Sequence, residues 1–304
     1  MKRTQLAKSI AMVLAGSALS VGAVSTASAH TMYNMFIPAD SISGTDGWVY
    51  GFDSSLPQGT RGGSAANPIS PVAFVGTGSQ TETPFGYAGN AHLNWAAEIH
   101  HVGQTLEIST ADSLARYGFA AEIDTGAGAW QDAGVDANGN PTANGPTGWR
   151  HQTDIGLIKS EVDTYIQLTP SVVTGTGYDI QNFGITVFKG MDTNTGNYSH
   201  HGAWNCPGCS NPTPYNLDNP FGTQGLEYVT HSGTVDANSP LTFFAEAGQI
   251  YSIYIGGAGV GRWNQNVADY QLNVAAVPVP AAVWFFGTAL AGLMGFNRRN
   301  KATA

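Results

Sequence analysis

Three segments decide the fold class: Leu241-Thr242-Phe243-Phe244-Ala245, then Gln249-Ile250-Tyr251-Ser252-Ile253-Tyr254-Ile255-Gly256, then Tyr270-Gln271-Leu272-Asn273-Val274-Ala275. Each is short and rich in aromatic and β-branched residues, and Ala247-Gly248 marks a turn between the first two. Successive side chains of a strand alternate faces, so Tyr251, Ile253 and Ile255 share one side. The three predict an antiparallel end to the domain.

Working back from there, Phe183 to Phe188, Thr164 to Leu168 and Asp154 to Lys159 alternate apolar and polar residues in part. Thr105 to Thr110 and Tyr117 to Ile123 are strand-like, as are Pro71 to Val75, Gly47 to Phe52 and the early run Met32, Tyr33, Met35 and Phe36. Ala91 to Val102 is ambiguous; as a strand it carries His100 and His101 at its end. Two long stretches, Asp124 to Pro146 and Gly190 to Gly225, read as loops dense in glycine, asparagine and proline. Many short strands with turn signals between them predict a mainly β protein, an antiparallel β-sandwich with long irregular loops.

The ends read as addresses. Residues 1–29 carry Lys2, Arg3 and Lys8, an apolar stretch and the cleavage pattern Ala27-Ser28-Ala29, the marks of a secretory signal peptide. Val277-Pro278-Val279-Pro280-Ala281, an apolar run from Ala282 to Phe296 and the basic Arg298, Arg299 and Lys301 follow the last strand. That run falls short of the ~17–25 residues of a spanning helix. Residues 277–304 therefore read as a sorting or anchor segment, and residues 30–276 as an exported β-sandwich domain.

That domain holds all 21 acids against six bases, a formal charge of −15. Such a field repels phosphate backbones and attracts cations, which argues against a nucleic-acid partner and fits metal ions as well as simple solubility. Enzyme signatures are scarce: there is no Gly-x-Ser-x-Gly, no His-Glu-x-x-His and no phosphate loop. All eight histidines lie in the same region.

Gly148-Trp149-Arg150-His151, answered by His200-His201, is the leading candidate site. On a strand Trp149 and His151 would project from one side. An intact indole binds no copper, because its nitrogen only donates, so Trp149 serves a metal only if oxidised. Trp-x-His with a histidine downstream resembles the surface-associated copper(I)-binding proteins of methane-oxidising bacteria, the MopE and CorA type. The resemblance implies that Trp149 becomes kynurenine, that His151 is a copper ligand and that His200 or His201 is another. The tail resembles the PEP-CTERM class in a Val-Pro-x-Pro-Ala variant, which implies an exosortase-like processing enzyme and a place at the cell surface or outer membrane. The segment from Ala247 to Ile255 resembles the closing strands of bacterial prepeptidase C-terminal sandwich domains, which bears on fold alone.

Other residues compete for a metal. Cleavage after Ala29 would leave His30 with a free amine beside its imidazole, an arrangement that resembles the histidine brace of copper polysaccharide monooxygenases and needs a second histidine nearby. His100 and His101 are further rivals. Cys206 and Cys209, in Cys-Pro-Gly-Cys, favour a tight disulfide in an oxidising compartment; reduced, they would make a soft site with His200 or His201. Asp136-x-Asn138-x-Asn140 and Asp192-x-Asn194-x-Gly196 have calcium-like spacing but lack the closing residues of an EF-hand, so ordinary Asx turns compete with calcium there. The expectation is a copper(I)-binding surface protein for scavenging or storage. A matrix or surface-layer protein without a metal site, and a copper oxygenase built on His30, are the alternatives.

Overall fold

The computed structural model describes residues 30–35, 74–79, 82–89, 93–130, 149, 152–193, 216–220, 223–259 and 266–278. Twelve strands are found there: β1 (His30–Asn34), β2 (Phe74–Val75), β3 (Trp95–Ile99), β4 (Thr105–Ile108), β5 (Asp124–Gly126), β6 (Asp154–Ser160), β7 (Thr164–Val172), β8 (Phe183–Lys189), β9 (Glu227–Val235), β10 (Leu241–Ala245), β11 (Ile250–Gly257) and β12 (Val267–Val277). One sheet has seven strands in the order β2-β1-β3-β6-β11-β8-β9; the other runs β10-β7-β12-β4, with β5 joined to β12. The β-sandwich is as expected. Its pairings are antiparallel except β3 on β6, which is parallel because the chain crosses through β4 and β5 before returning.

The alternation along each strand builds two apolar layers. Tyr33, Trp95, Ala97, Ile99 and Ile158 belong to the core between the sheets, with Leu168, Ile253, Tyr270 and Val274. Met32, Ala96, Ile155, Leu157, Phe188 and Tyr254 point the opposite way and form a second cluster with Trp130 and Trp149. The seven-stranded sheet thus has apolar cover on its outer face as well.

Trp95 is the largest side chain of the inner core and is fully buried. Its indole lies over Gly156, its partner across the β3–β6 pairing, where a Cβ would stand 2.2 Å from the ring. The indole N–H donates to the Tyr270 hydroxyl at 3.0 Å, and that hydroxyl donates to Asp154 Oδ2 at 2.8 Å. The two sheets are stitched through one hydroxyl. Burial, with the neighbouring Asp124 carboxylate adding to it, holds the Asp154 carboxyl well above the usual range, against the Tyr270 hydrogen bond.

β5 is a short strand at the start of the stretch from Asp124 that was expected to be loop, and two further elements differ from expectation. Thr110–Tyr117 is an α-helix, α1, and residues 118–123 form no strand. The Ser109 hydroxyl caps it by accepting from Asp112 N–H at 2.9 Å, Arg116 pairs with Asp112 at 2.6 Å, and Gly118 closes it in the left-handed region at φ 69°. Ser109-x-x-Asp112 is a helix-start signature that the strand reading passed over. Asp112 also receives the hydroxyls of Tyr33 and Thr31, at 2.8 and 2.9 Å, so α1 locks onto β1. β9 was not anticipated: it is a half-exposed edge strand, polar, broken by Gly233 and by two register shifts against β8. The expected strand from Gly47 to Phe52 lies outside the described residues, as do the proposed signal peptide and nearly all of the proposed sorting segment. Among the described residues no helix is long and apolar enough to cross a membrane.

Gly156→Ala forces the Trp95 indole aside or opens β3 from β6. We expect a loss of at least the ~1–3 kcal/mol of an overpacked core, read as a lower urea midpoint; an unchanged midpoint would contradict the packing described.

Candidate metal centre

β3 sends Trp95, Ala97 and Ile99 inward, so Glu98 and the following His100 are on the outer face. Register brings their neighbours to them. His30 of β1 stands directly across from Glu98, and Lys159 of β6 stands across from it on the other side. Beyond the end of β6, Glu161 is fastened by its backbone N–H to the Ile99 carbonyl at 2.8 Å, which sets it beside His100.

Lys159 Nζ lies 2.7 Å from Glu98 Oε1, and His30 Nε2 lies 3.6 Å from Glu98 Oε2. One carboxylate therefore faces a fixed cation on one oxygen and an imidazole on the other. The His30 and His100 rings stack at 5.9 Å between centroids with 24° between planes. His100 Nδ1 meets Glu161 Oε2 at 2.8 Å, and the His100 backbone N–H donates to Gln104 Oε1 at 2.8 Å. Among the described residues, His30, Glu98 and His100 are the group whose ligand atoms converge for a metal ion, all within 4.8 Å of one another. His30 keeps 36% of its side-chain surface while Glu98 keeps 14%, so a metal would approach from the His30 side.

The donor set has a definite chemistry. Two imidazoles and one carboxylate suit zinc, copper and other borderline ions. The Glu161 contact occupies Nδ1 of His100, which leaves Nε2 to coordinate, the carboxylate–histidine–metal arrangement that fixes tautomer and ring direction. The hydrogen bond to His100 pulls the Glu161 carboxyl below its ordinary range, and the charges of His100, Lys159 and His30 add to this.

Of the expected site residues, His30 is in this centre and His100, named as a rival ligand, is beside it. His101 is not: its Nδ1 faces the Val102 carbonyl at 3.3 Å. Trp149 lies ahead of β6, in no strand, with its side chain buried in the outer cluster and stacked on Tyr254 at 5.0 Å. The strand expected to carry it is not seen at Trp149, which instead fills space over β11 and β8 through Tyr254 and Phe188. His151, His200, His201, Cys206 and Cys209 lie outside the described residues, as do Asp136, Asn138, Asn140, Asn194 and Gly196. Glu98 and Glu161 were visible only as unassigned acids. Glu98-x-His100 has the same two-residue spacing as Trp149-x-His151, and that was the signal to follow.

No protein-family model matches the chain, and no curated protein does. Among solved structures it is similar to CorA of Methylomicrobium album BG8, described as a surface-associated copper-binding protein important in copper acquisition. The identity is 9%, the match covers 59% of this chain and 97% of the other, and the TM-score is 0.28. A superposition at that score decides nothing about the fold or the centre, which rest on the geometry above.

Glu161 should titrate below a free glutamate in carbon-detected NMR and return to the ordinary range in His100→Gln. Its share of stability is present above the ordinary range and lost as pH falls through its lowered midpoint. An ordinary midpoint in the unsubstituted protein would remove the Glu161–His100 bond from this account.

Proposed function

We propose that residues 30–276 form an exported copper-binding domain whose metal centre is His30, Glu98 and His100. The convergence of these three ligands on one sheet face carries the reading. Copper stands highest for a site with nitrogen and oxygen donors among the divalent first-row ions, and neutral imidazoles also accept copper(I). The excess of acids over bases favours cation capture from outside the cell. The task is copper scavenging or storage at the surface.

The Trp149, His151 and His200 or His201 set is a separate copper(I) position in this proposal, formed only in molecules whose Trp149 indole has been oxidised to kynurenine. Oxygenase chemistry has one supporting observation: His100 is the nearby histidine that a brace on His30 requires. Cleavage after Ala29 would add the His30 amine to the donor set. Mass analysis of the mature N-terminus and a reductant-dependent peroxide assay test that reading together.

Copper and zinc competition titrations of the exported protein test the main proposal. His100→Ala should weaken copper binding by more than the ~10–100-fold that loss of an outer partner costs, and Glu161→Gln by an amount inside that span. Binding should also weaken in acid, because the ligands must shed protons. Unchanged affinity in His30→Ala and His100→Ala, with loss in His151→Ala, would move the metal to the Trp149 motif. No copper binding in any form would leave a matrix or surface-layer role.

A further inference from the structure

Away from the metal centre, the outer face of the seven-stranded sheet carries a continuous series of rings. Trp149 stacks on Tyr254 at 5.0 Å, and Phe188 stands edge-on to Tyr254 at 5.3 Å and to Trp149 at 6.1 Å. Phe188 contacts Tyr228 at 6.4 Å, Tyr228 contacts His231 at 5.9 Å, and His231 stacks on Trp130 at 6.2 Å with 24° between planes. The series begins at buried side chains: Trp149 and Trp130 are 2% exposed. Between them it crosses β9, the edge strand, where Tyr228 and His231 are half-buried.

Packing accounts for ring contacts on a sheet face. It does not account for the polar members of the series. Tyr228 Oη lies 2.6 Å from His231 Nδ1. With the imidazole proton on Nε2, the phenol donates and the ring is poised to take its proton. Burial shifts His231 toward the neutral form, in which one ring nitrogen accepts. The backbone is shaped around Trp130: a Cβ on Gly184 would stand 2.0 Å from its ring, and one on Gly233 3.0 Å. The indole N–H donates to the Thr186 hydroxyl at 2.9 Å, fixing the plane on which His231 stacks.

We propose that Tyr228 and His231 form a proton-coupled redox pair that draws oxidising equivalents from buried Trp149 to the exposed edge of the sheet. The step balances within the chain. A one-electron oxidant at the surface, of the peroxyl-radical class, takes an electron from Trp149, becomes the hydroperoxide anion and leaves an indole radical cation. Tyr228 returns an electron to Trp149 through the rings of Phe188 and Tyr254. The phenol O–H bond breaks in the same step, and its proton passes to His231 Nδ1. The products are an intact indole, a neutral tyrosyl radical and an imidazolium. A small-molecule reductant such as ascorbate supplies the electron and His231 returns the proton, which restores Tyr228 and the neutral imidazole together. The consequence is a site that holds oxidation at the edge strand. It depends on no bound metal.

Flash photolysis of the full chain with a ruthenium trisbipyridyl photo-oxidant and a sacrificial acceptor generates the oxidant. Freeze-quenched electron paramagnetic resonance and peptide mass spectrometry read the outcome. In the unsubstituted protein a tyrosyl signal should form, and a spin trap should label Tyr228 ahead of the other tyrosines. Tyr228→Phe should abolish that label and raise the oxidised products of Trp149 severalfold. His231→Phe keeps a ring against Trp130 but removes the proton acceptor; it should shift the balance the same way with Tyr228 still present. Label on another tyrosine in the unsubstituted protein would overturn the proposal without any variant having to fold. Equal Trp149 oxidation in all three proteins would overturn it as well.

Discussion

The seat of the Trp95 indole on Gly156 is the constraint on which the rest of the molecule depends. The ring fits only where no Cβ stands, so β3 can lie beside β6 in one register. The Tyr270 hydroxyl holds that register from the opposite sheet, taking the indole N–H and giving its own proton to Asp154. Strands slip by single residues only at the cost of turning every side chain to the other face. A slip of β3 would carry Glu98 into the core and Ile99 out of it. The meeting of His30, Glu98 and His100 is thus a consequence of how an aromatic ring packs on the other side of the same strand.

Within the centre, charge and hydrogen bonding divide the work between rows. The row His30–Glu98–Lys159 sets a carboxylate between an imidazole and a permanent cation. The row His100–Glu161 fixes a second imidazole by its Nδ1 and leaves its Nε2 to coordinate. Lys159 neutralises Glu98 and spans toward the Phe85 ring, 5.6 Å from its centroid. An arriving cation finds Oε2 of Glu98 and two nitrogens within reach, while Oε1 stays with Lys159. Three strands contribute, and none holds the site alone.

The sandwich was legible because its strands announce themselves: Leu241 to Ala245, Ile250 to Gly257 and Phe183 to Lys189 are apolar, short and set off by glycine. Helix α1 was not, although Ser109-x-x-Asp112 and Gly118 mark its two ends, because the aromatic run after Arg116 reads equally as strand. β9 was hidden by its polarity, since an edge strand has one neighbour and little apolar surface to bury. For the site, His30 and His100 could be singled out by residue type. Their meeting could not, because it depends on β1 pairing with β3 across a long separation in the chain. Glu98 stood out as a candidate ligand only once the β3–β6 register placed Lys159 on one side of it and the β1–β3 register placed His30 on the other. Trp149 stands outside any strand in an aromatic cluster, a placement that spacing alone does not reveal.

X-ray absorption at the copper edge, recorded on the exported protein loaded with one equivalent, tests the central claim most directly. The account predicts two imidazole ligands and one oxygen donor, with one imidazole lost in His100→Ala. A spectrum dominated by sulfur, or one that His100→Ala leaves unchanged, would contradict it.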